Sequence, residues 1–223
     1  MSNPDHTHIT VILDRSGSMR RIASDVIGGF NQLLDEQRAL EHGHATLSLT
    51  QFATGNPLMV TYDFQRLDKV PPLTAEMYTP YGGTPLYDAV GITLYKLKKT
   101  IEATAEYERP GKVLIVIITD GKENRSRRVT HTFLRRQIAF HTKEGWEFVY
   151  LSADLDAFGD SDRMGIRESH RMAFDKSARG TRRAFSALSK NISSSRSATA
   201  PRDTFFDESD REQHDLERQR REG

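Results

Sequence analysis

At 223 residues the chain is long enough to bury one well-formed core and short for two, and its hydrophobic share of 36% suggests that part of it stays unpacked. A net charge of +1 singles out no polyanionic partner, and the absence of cysteine excludes a disulfide scaffold, a thiolate zinc site and cysteine nucleophile chemistry. The first residues, MSNPDHTH, show no basic-then-apolar leader, and the longest apolar run, Val113–Ile118, is too short to span a bilayer, so a soluble cytoplasmic protein is the expectation.

In chain order, Ile9, Val11, Ile12 and Leu13 have the apolar, β-branched character of a buried strand. The chain turns polar at once, at Asp14-Arg15-Ser16-Gly17-Ser18, and a helix follows with Ile22, Val26, Ile27, Phe30, Leu33 and Leu34 at three- and four-residue steps. Gly43 lies where that helix should stop. Ala45–Phe52 and the alternating Leu58, Val60, Tyr62 and Phe64 predict two strands joined by a Gly55-Asn56-Pro57 turn. So short a connection makes them antiparallel, with the second at a sheet edge.

Residues 73–84 read as a loop ending in Tyr81-Gly82-Gly83-Thr84, and Pro85 suits the first turn of a helix carrying Leu86, Val90, Leu94, Leu97 and Ile101 on one stripe. Val113–Ile118 is apolar at every position, as expected of a central parallel strand covered on both faces, and ends in Thr119-Asp120-Gly121. A helix around Val129–Ile138, a strand at Trp146–Leu151, a short strand at Arg171–Phe174 and a closing helix marked by Ala184, Phe185, Leu188 and Ile192 complete the pattern. The expected fold is α/β: a Rossmann-like, doubly wound, mostly parallel sheet with one antiparallel edge strand and helices on both faces. The expected domain covers 1–198, with 199–223 a charged, disordered tail whose only aromatic spot is Phe205-Phe206.

In such a sheet the loops after the parallel strands share one edge, where ligands bind. Asp14, Ser16 and Ser18 follow the first strand, Asp120 follows the all-apolar strand, and Thr84 opens a helix starting at the same edge. Five hard oxygen groups from three loops suit Mg²⁺ or Mn²⁺. Taken singly, the residues have plainer readings: Ser18 as a helix cap, Thr84 as an N-cap before Pro85, and Asp120 as a turn residue. Their conjunction favours the metal.

These three blocks, Asp14-Arg15-Ser16-Gly17-Ser18, Gly83-Thr84-Pro85-Leu86 and Thr119-Asp120-Gly121, resemble the metal-ion-dependent adhesion site of von Willebrand factor A domains, over roughly residues 9–192. The resemblance implies direct metal ligation by Ser16, Ser18 and Thr84, with Asp14 and Asp120 acting mostly through water. A remaining coordination position would take an Asp or Glu from a protein partner. The Ser-Gly-Ser-Met wording is similar to the intracellular bacterial and phage members.

Other clusters invite plainer readings. Asp88, one turn into the helix after Thr84, should simply complement the helix N-terminus. Asp154 and Asp156 read as a solvated loop. The pairs His6/His8 and His42/His44 lack a carboxylate or cysteine placed to complete a zinc site. Arg125, Arg127, Arg128, Arg135 and Arg136 read as a solvated helix face, with nucleic-acid binding ranked last.

The leading functional expectation is therefore a cation-dependent protein-interaction module without enzymatic activity and without membrane contact. The alternative is a metal-dependent phosphohydrolase with Asp14 as nucleophile. In aspartate-based phosphatases of the haloacid dehalogenase type a second carboxylate stands two residues on, where this chain has Ser16. Lys122 is the best candidate for the catalytic lysine, and no Gly-x-Ser-x-Gly elbow surrounds Ser16 or Ser18.

Overall fold

The computed structural model describes residues 2–41, 43–153 and 158–211. Six strands form one sheet in the order β3-β2-β1-β4-β5-β6: β1 (Asn3–Asp14), β2 (His44–Ala53), β3 (Asn56–Arg66), β4 (Pro110–Thr119), β5 (Glu147–Ser152) and β6 (Arg171–Ala173). All neighbours pair in parallel except β2 with β3. The expected doubly wound sheet with one antiparallel edge strand is thus the observed one.

Alternation along the strands divides the core between two layers. Ile9, Val11, Leu13, Leu114, Val116 and Ile118 face α1 (Ala23–Arg38) and α5 (Ala178–Ser197). Ile12, Ile115 and Ile117 face α2 (Leu86–Ala103) and α3 (His131–Lys143). The all-apolar character of Val113–Ile118 follows directly, because successive side chains enter opposite layers and both are covered. Strand order reverses at β1, which lies between β2 and β4, so the crevice expected of this topology opens at the carboxyl ends of β1 and β4.

Several expectations need correction. The helix after Ser16 begins as a 3-10 segment, Gly17–Ile22, before α1. Helix α4 (Phe158–Met164) lies where the sequence pattern indicates no element. Asp154, Asp156 and His42 lie outside the described residues. β1 starts at Asn3, earlier than its apolar run indicates, because polar side chains there find partners. His6 Nδ1 lies 3.0 Å from the Glu108 carbonyl, which can only accept, so Nδ1 carries the proton. His6 Nε2 then accepts from Thr46 Oγ1, and that oxygen accepts from His8 Nδ1, each at 2.8 Å. His8 Nε2 is left as a buried lone pair without a hydrogen bond, and burial pushes the His8 imidazole down to about 3. His6 stacks on His44 at 4.3 Å and His8 on Phe64 at 4.0 Å, so these rings are packing elements.

The boundary at 198 is also corrected. Phe205 and Phe206 are fully buried in the α1/α5 layer, in contact edge to face at 4.9 Å. Their amides donate to Ser169 O at 3.1 and 2.9 Å. Glu147 accepts from Arg202 N at 3.2 Å, and Asn191 Nδ2 donates to Asp210 Oδ2 at 2.9 Å. Residues 199–211 therefore belong to the packed domain, since two aromatic anchors and a set of hydrogen bonds offset the cost of ordering a polar segment. Among the described residues no helix is long and apolar enough to cross a membrane.

Candidate metal centre

β1 ends on Asp14, and β4 ends one residue before Asp120, so the paired strands deliver both carboxylates to the crevice. Ser16 N donates to Asp14 Oδ1 at 2.7 Å, which folds the loop back over the strand end. Ser16 Oγ and Ser18 Oγ lie 3.0 Å apart, and Ser18 Oγ donates to Asp120 Oδ1 at 2.5 Å. Neither serine side chain caps the 3-10 segment, so the plain capping reading of Ser18 does not hold.

Thr84 arrives on a separate loop. Gly17 N donates to Gly82 O at 2.9 Å, and Tyr81 N to Arg15 O at 2.8 Å, stitching the two loops together. Gly82 adopts φ +69°, a backbone shape that favours glycine. A side chain at Gly83 would run into Arg125 Cγ and Asn124 Oδ1, each 2.8 Å from the place of its Cβ. Thr84 is buried and does not cap α2, which again removes the plainer reading. Ser18 Oγ and Thr84 Oγ1 stand 3.7 and 3.8 Å from the place a Cβ on Gly121 would take, so oxygens from all three loops border one small space. Asp14, Ser16, Ser18, Thr84 and Asp120 are accordingly brought together.

The electrostatics of this space call for a cation. Asp14 is fully buried and among the described residues has no ion-pair partner; its oxygens are held by Ser16 N and by Thr119 Oγ1, the latter at 2.6 Å. Burial pushes its carboxyl up to about 7, against the pull of the Thr119 and Ser16 hydrogen bonds, and the charge of Asp120 adds to the rise. Asp120 is equally buried. Its Oδ2 has no aligned hydrogen bond but lies 3.1 Å from Lys176 Nζ, which donates to Asp120 O at 2.9 Å. The ion pair is the relevant contact there, because attraction between charges does not need hydrogen-bond alignment. Five oxygens without a nitrogen or sulfur donor, two of them on buried carboxylates, fit a hard divalent ion.

Several residues that shape this edge were not legible as such. Asp88 does more than complement α2: its carboxylate accepts from the amides of Arg127, Arg128 and Val129 at 2.7–2.9 Å. Glu123 accepts from Tyr87 N, Arg125 N and Ser126 N, and Asp160 accepts from Glu123 N and Tyr87 OH. Tyr78 OH donates to Asp14 O at 2.6 Å. Arg125, Arg127 and Arg128 precede α3 and so lie on this loop, which corrects their reading as a helix face. The spacing of Glu123 and Ser126 resembles a local turn motif and offered the one usable signal; Asp88, Tyr78 and Lys176 act across long sequence distances.

No protein-family model matches the sequence, and no curated protein does. Solved structures do match. The vWF domain of the type V pili tip protein Mfa5 from Porphyromonas gingivalis is 10% identical with a TM-score of 0.61, covering 86% of this chain and 96% of that one. The fold is therefore that of a von Willebrand factor A domain. Proximal thread matrix protein 1 from the mussel byssus, in a structure with a zinc-occupied MIDAS motif, is 15% identical with a TM-score of 0.57, over 84% of this chain. This chain spans 46% of that protein's length. The manganese-loaded TRAP protein of Plasmodium vivax is 14% identical with a TM-score of 0.51, over 78% of this chain and 70% of that one. Within this A-type fold, the crevice of β1 and β4 is the edge where the five oxygen residues gather.

Proposed function

We propose that the protein is a divalent-cation-dependent protein-interaction module. In this reading Ser16, Ser18 and Thr84 hold Mg²⁺ or Mn²⁺ directly, Asp14 and Asp120 support it, and a partner Asp or Glu completes the shell. The observation that carries the reading is the convergence of five oxygen side chains from three loops around the buried carboxylate of Asp14, which has no ion-pair partner among the described residues. Ligands that are mostly neutral leave the ion short of negative charge, and an incoming carboxylate supplies it. The zinc-occupied MIDAS motif named for the mussel protein and the manganese named for the Plasmodium protein support a divalent cation in this reading. The phosphohydrolase reading fares worse, because both Asp14 oxygens are engaged within the chain and neither is presented as a nucleophile.

Calorimetric titration with Mn²⁺ tests the proposal. Wild type takes up the ion at one site and Asp14→Ala does not, while far-UV circular dichroism shows the variant folded. Metal at about a hundred times its dissociation constant stabilises wild type by about 2.7 kcal/mol, which reads as a higher melting temperature absent in Asp14→Ala. Undiminished Mn²⁺ affinity in Asp14→Ala would refute the assignment.

A further inference from the structure

Beside the crevice lies an open depression of about 590 Å³ lined by Thr54, Gly82, Gly83, Asn124, Arg125 and Arg127. It adjoins Thr84 through the chain itself, since Gly83 lines it and Thr84 is the next residue. The position of the loop that carries the arginines is set against Thr84. Asn124 N donates to Thr84 O at 3.1 Å, and Thr84 N donates to Asn124 Oδ1 at 3.0 Å, a reciprocal pair between the metal-site residue and the neighbour of Arg125. Arg125 N is held by Glu123 Oε1 at 2.7 Å and Arg127 N by Asp88 Oδ2 at 2.9 Å. The Arg125 stem rests over Gly83, with Cγ 2.8 Å from where a Cβ would stand, so only glycine allows this approach.

The backbone is thus pinned while the guanidinium heads are exposed, and among the described residues no carboxylate pairs with either. Asp88 and Glu123 commit their carboxylates to backbone amides, so the two guanidinium groups add positive charge at the rim of the site for a divalent ion. Guanidinium groups select planar oxyanions, and carboxylate is the chemistry the adjoining metal also takes.

We infer that Arg125 and Arg127 form an anion subsite beside the metal centre, and that the partner is an extended acidic segment giving one carboxylate to the metal and a second to these arginines. This rests on the metal-centre reading above. In an extended segment, side chains two residues apart share a face at about 7 Å, a separation suited to the guanidinium of Arg125, whose stem rests over Gly83, the residue before Thr84. For single-stranded nucleic acid, the alternative polyanion, no aromatic among the described residues lines the depression to serve as a stacking platform. The nearby Tyr81 is already used by Arg15, whose guanidinium lies 4.6 Å from its ring centroid and donates to its hydroxyl at 2.7 Å.

The test uses the full chain, saturating Mn²⁺ and low ionic strength, with labelled Gly/Ser peptides carrying a central Glu-Ser-Glu, Glu-Ser-Gln or Gln-Ser-Gln, read by fluorescence anisotropy. Wild type should bind the two-carboxylate peptide about fivefold more tightly than the one-carboxylate peptide. The double variant R125Q/R127Q should keep only the about twofold statistical preference of a peptide with two carboxylates for one metal, and keep its Mn²⁺ affinity, since the loop is held by hydrogen bonds to its backbone amides. A preference of no more than about twofold in wild type, the same as in the double variant, with chelator still abolishing both, would overturn the subsite and leave the metal reading standing. Peptide binding that ignores chelator, or no binding, would overturn the metal reading and this inference with it. Chelator-insensitive capture of a single-stranded oligonucleotide, lost in R125Q/R127Q, would reassign the arginines to nucleic acid.

Discussion

Phe206→Ala offers a direct measure of how far the packed domain extends. The side chain is 0% exposed, joins the α1/α5 layer and meets Phe205 edge to face. Truncating a buried phenylalanine removes its transfer free energy and leaves a cavity, together about 3–5 kcal/mol. Against a total stability of about 5–15 kcal/mol for a domain, that is a large share. Urea titration followed by circular dichroism should show a lower midpoint with the slope unchanged. Phe133, 52% exposed on α3, is the control, and its replacement by alanine should cost under about 1 kcal/mol. Phe205→Ala should resemble Phe206→Ala, but the double variant should lose less than the sum, because the two rings touch. Truncation after Ala198 removes both anchors together with the Glu147 and Asn191 hydrogen bonds, and should destabilise further. If Phe206→Ala shifted stability by no more than Phe133→Ala, residues 199–211 would not be part of the core and the reasoning would fail.

Asp88→Ala leaves the amides of Arg127, Arg128 and Val129 without their acceptor, and should cost about 2–3 kcal/mol in chemical denaturation; Asp88→Asn, which keeps an accepting oxygen, should lose less. His8 is neutral in the fold, with its imidazole at about 3 against an ordinary 6.5, so its contribution is full above pH 6.5 and lost as pH falls toward 3. Between pH 6.5 and about 4.5 this amounts to roughly 2–3 kcal/mol, so His8→Asn should show a shallower acid loss of stability than wild type, and parallel profiles would contradict it. Thr84→Ala removes one neutral oxygen at the metal edge and keeps both aspartates, so Mn²⁺ titration should show weakened uptake where Asp14→Ala shows none.

Much of the fold can be read from residue order alone, because it depends on local periodicity. The apolar run before Asp14, the unbroken Val113–Ile118 and the stripes of Leu86–Ile101 each place their own element, and parallel-sheet topology then gathers the ends. The same logic placed Asp14, Ser16, Ser18, Thr84 and Asp120 at one edge, since each sits next to an element boundary. What depended on pairs distant in sequence was left to the tertiary structure. Asp88 gathers amides 39–41 residues away, and Lys176 reaches Asp120 across 56. Such contacts leave no periodic trace, because a carboxylate or an amine has the same local signature whether it meets water or a partner. Phe205 and Phe206 sit in a charged stretch too poor in apolar residues to announce a core segment, and only the tertiary packing of the α1/α5 layer decides that they are buried. The arginines of the 121–129 loop show the same limit: charge is visible in the sequence, but its position beside Thr84 comes from the hydrogen bonds of Asn124, Glu123 and Asp88.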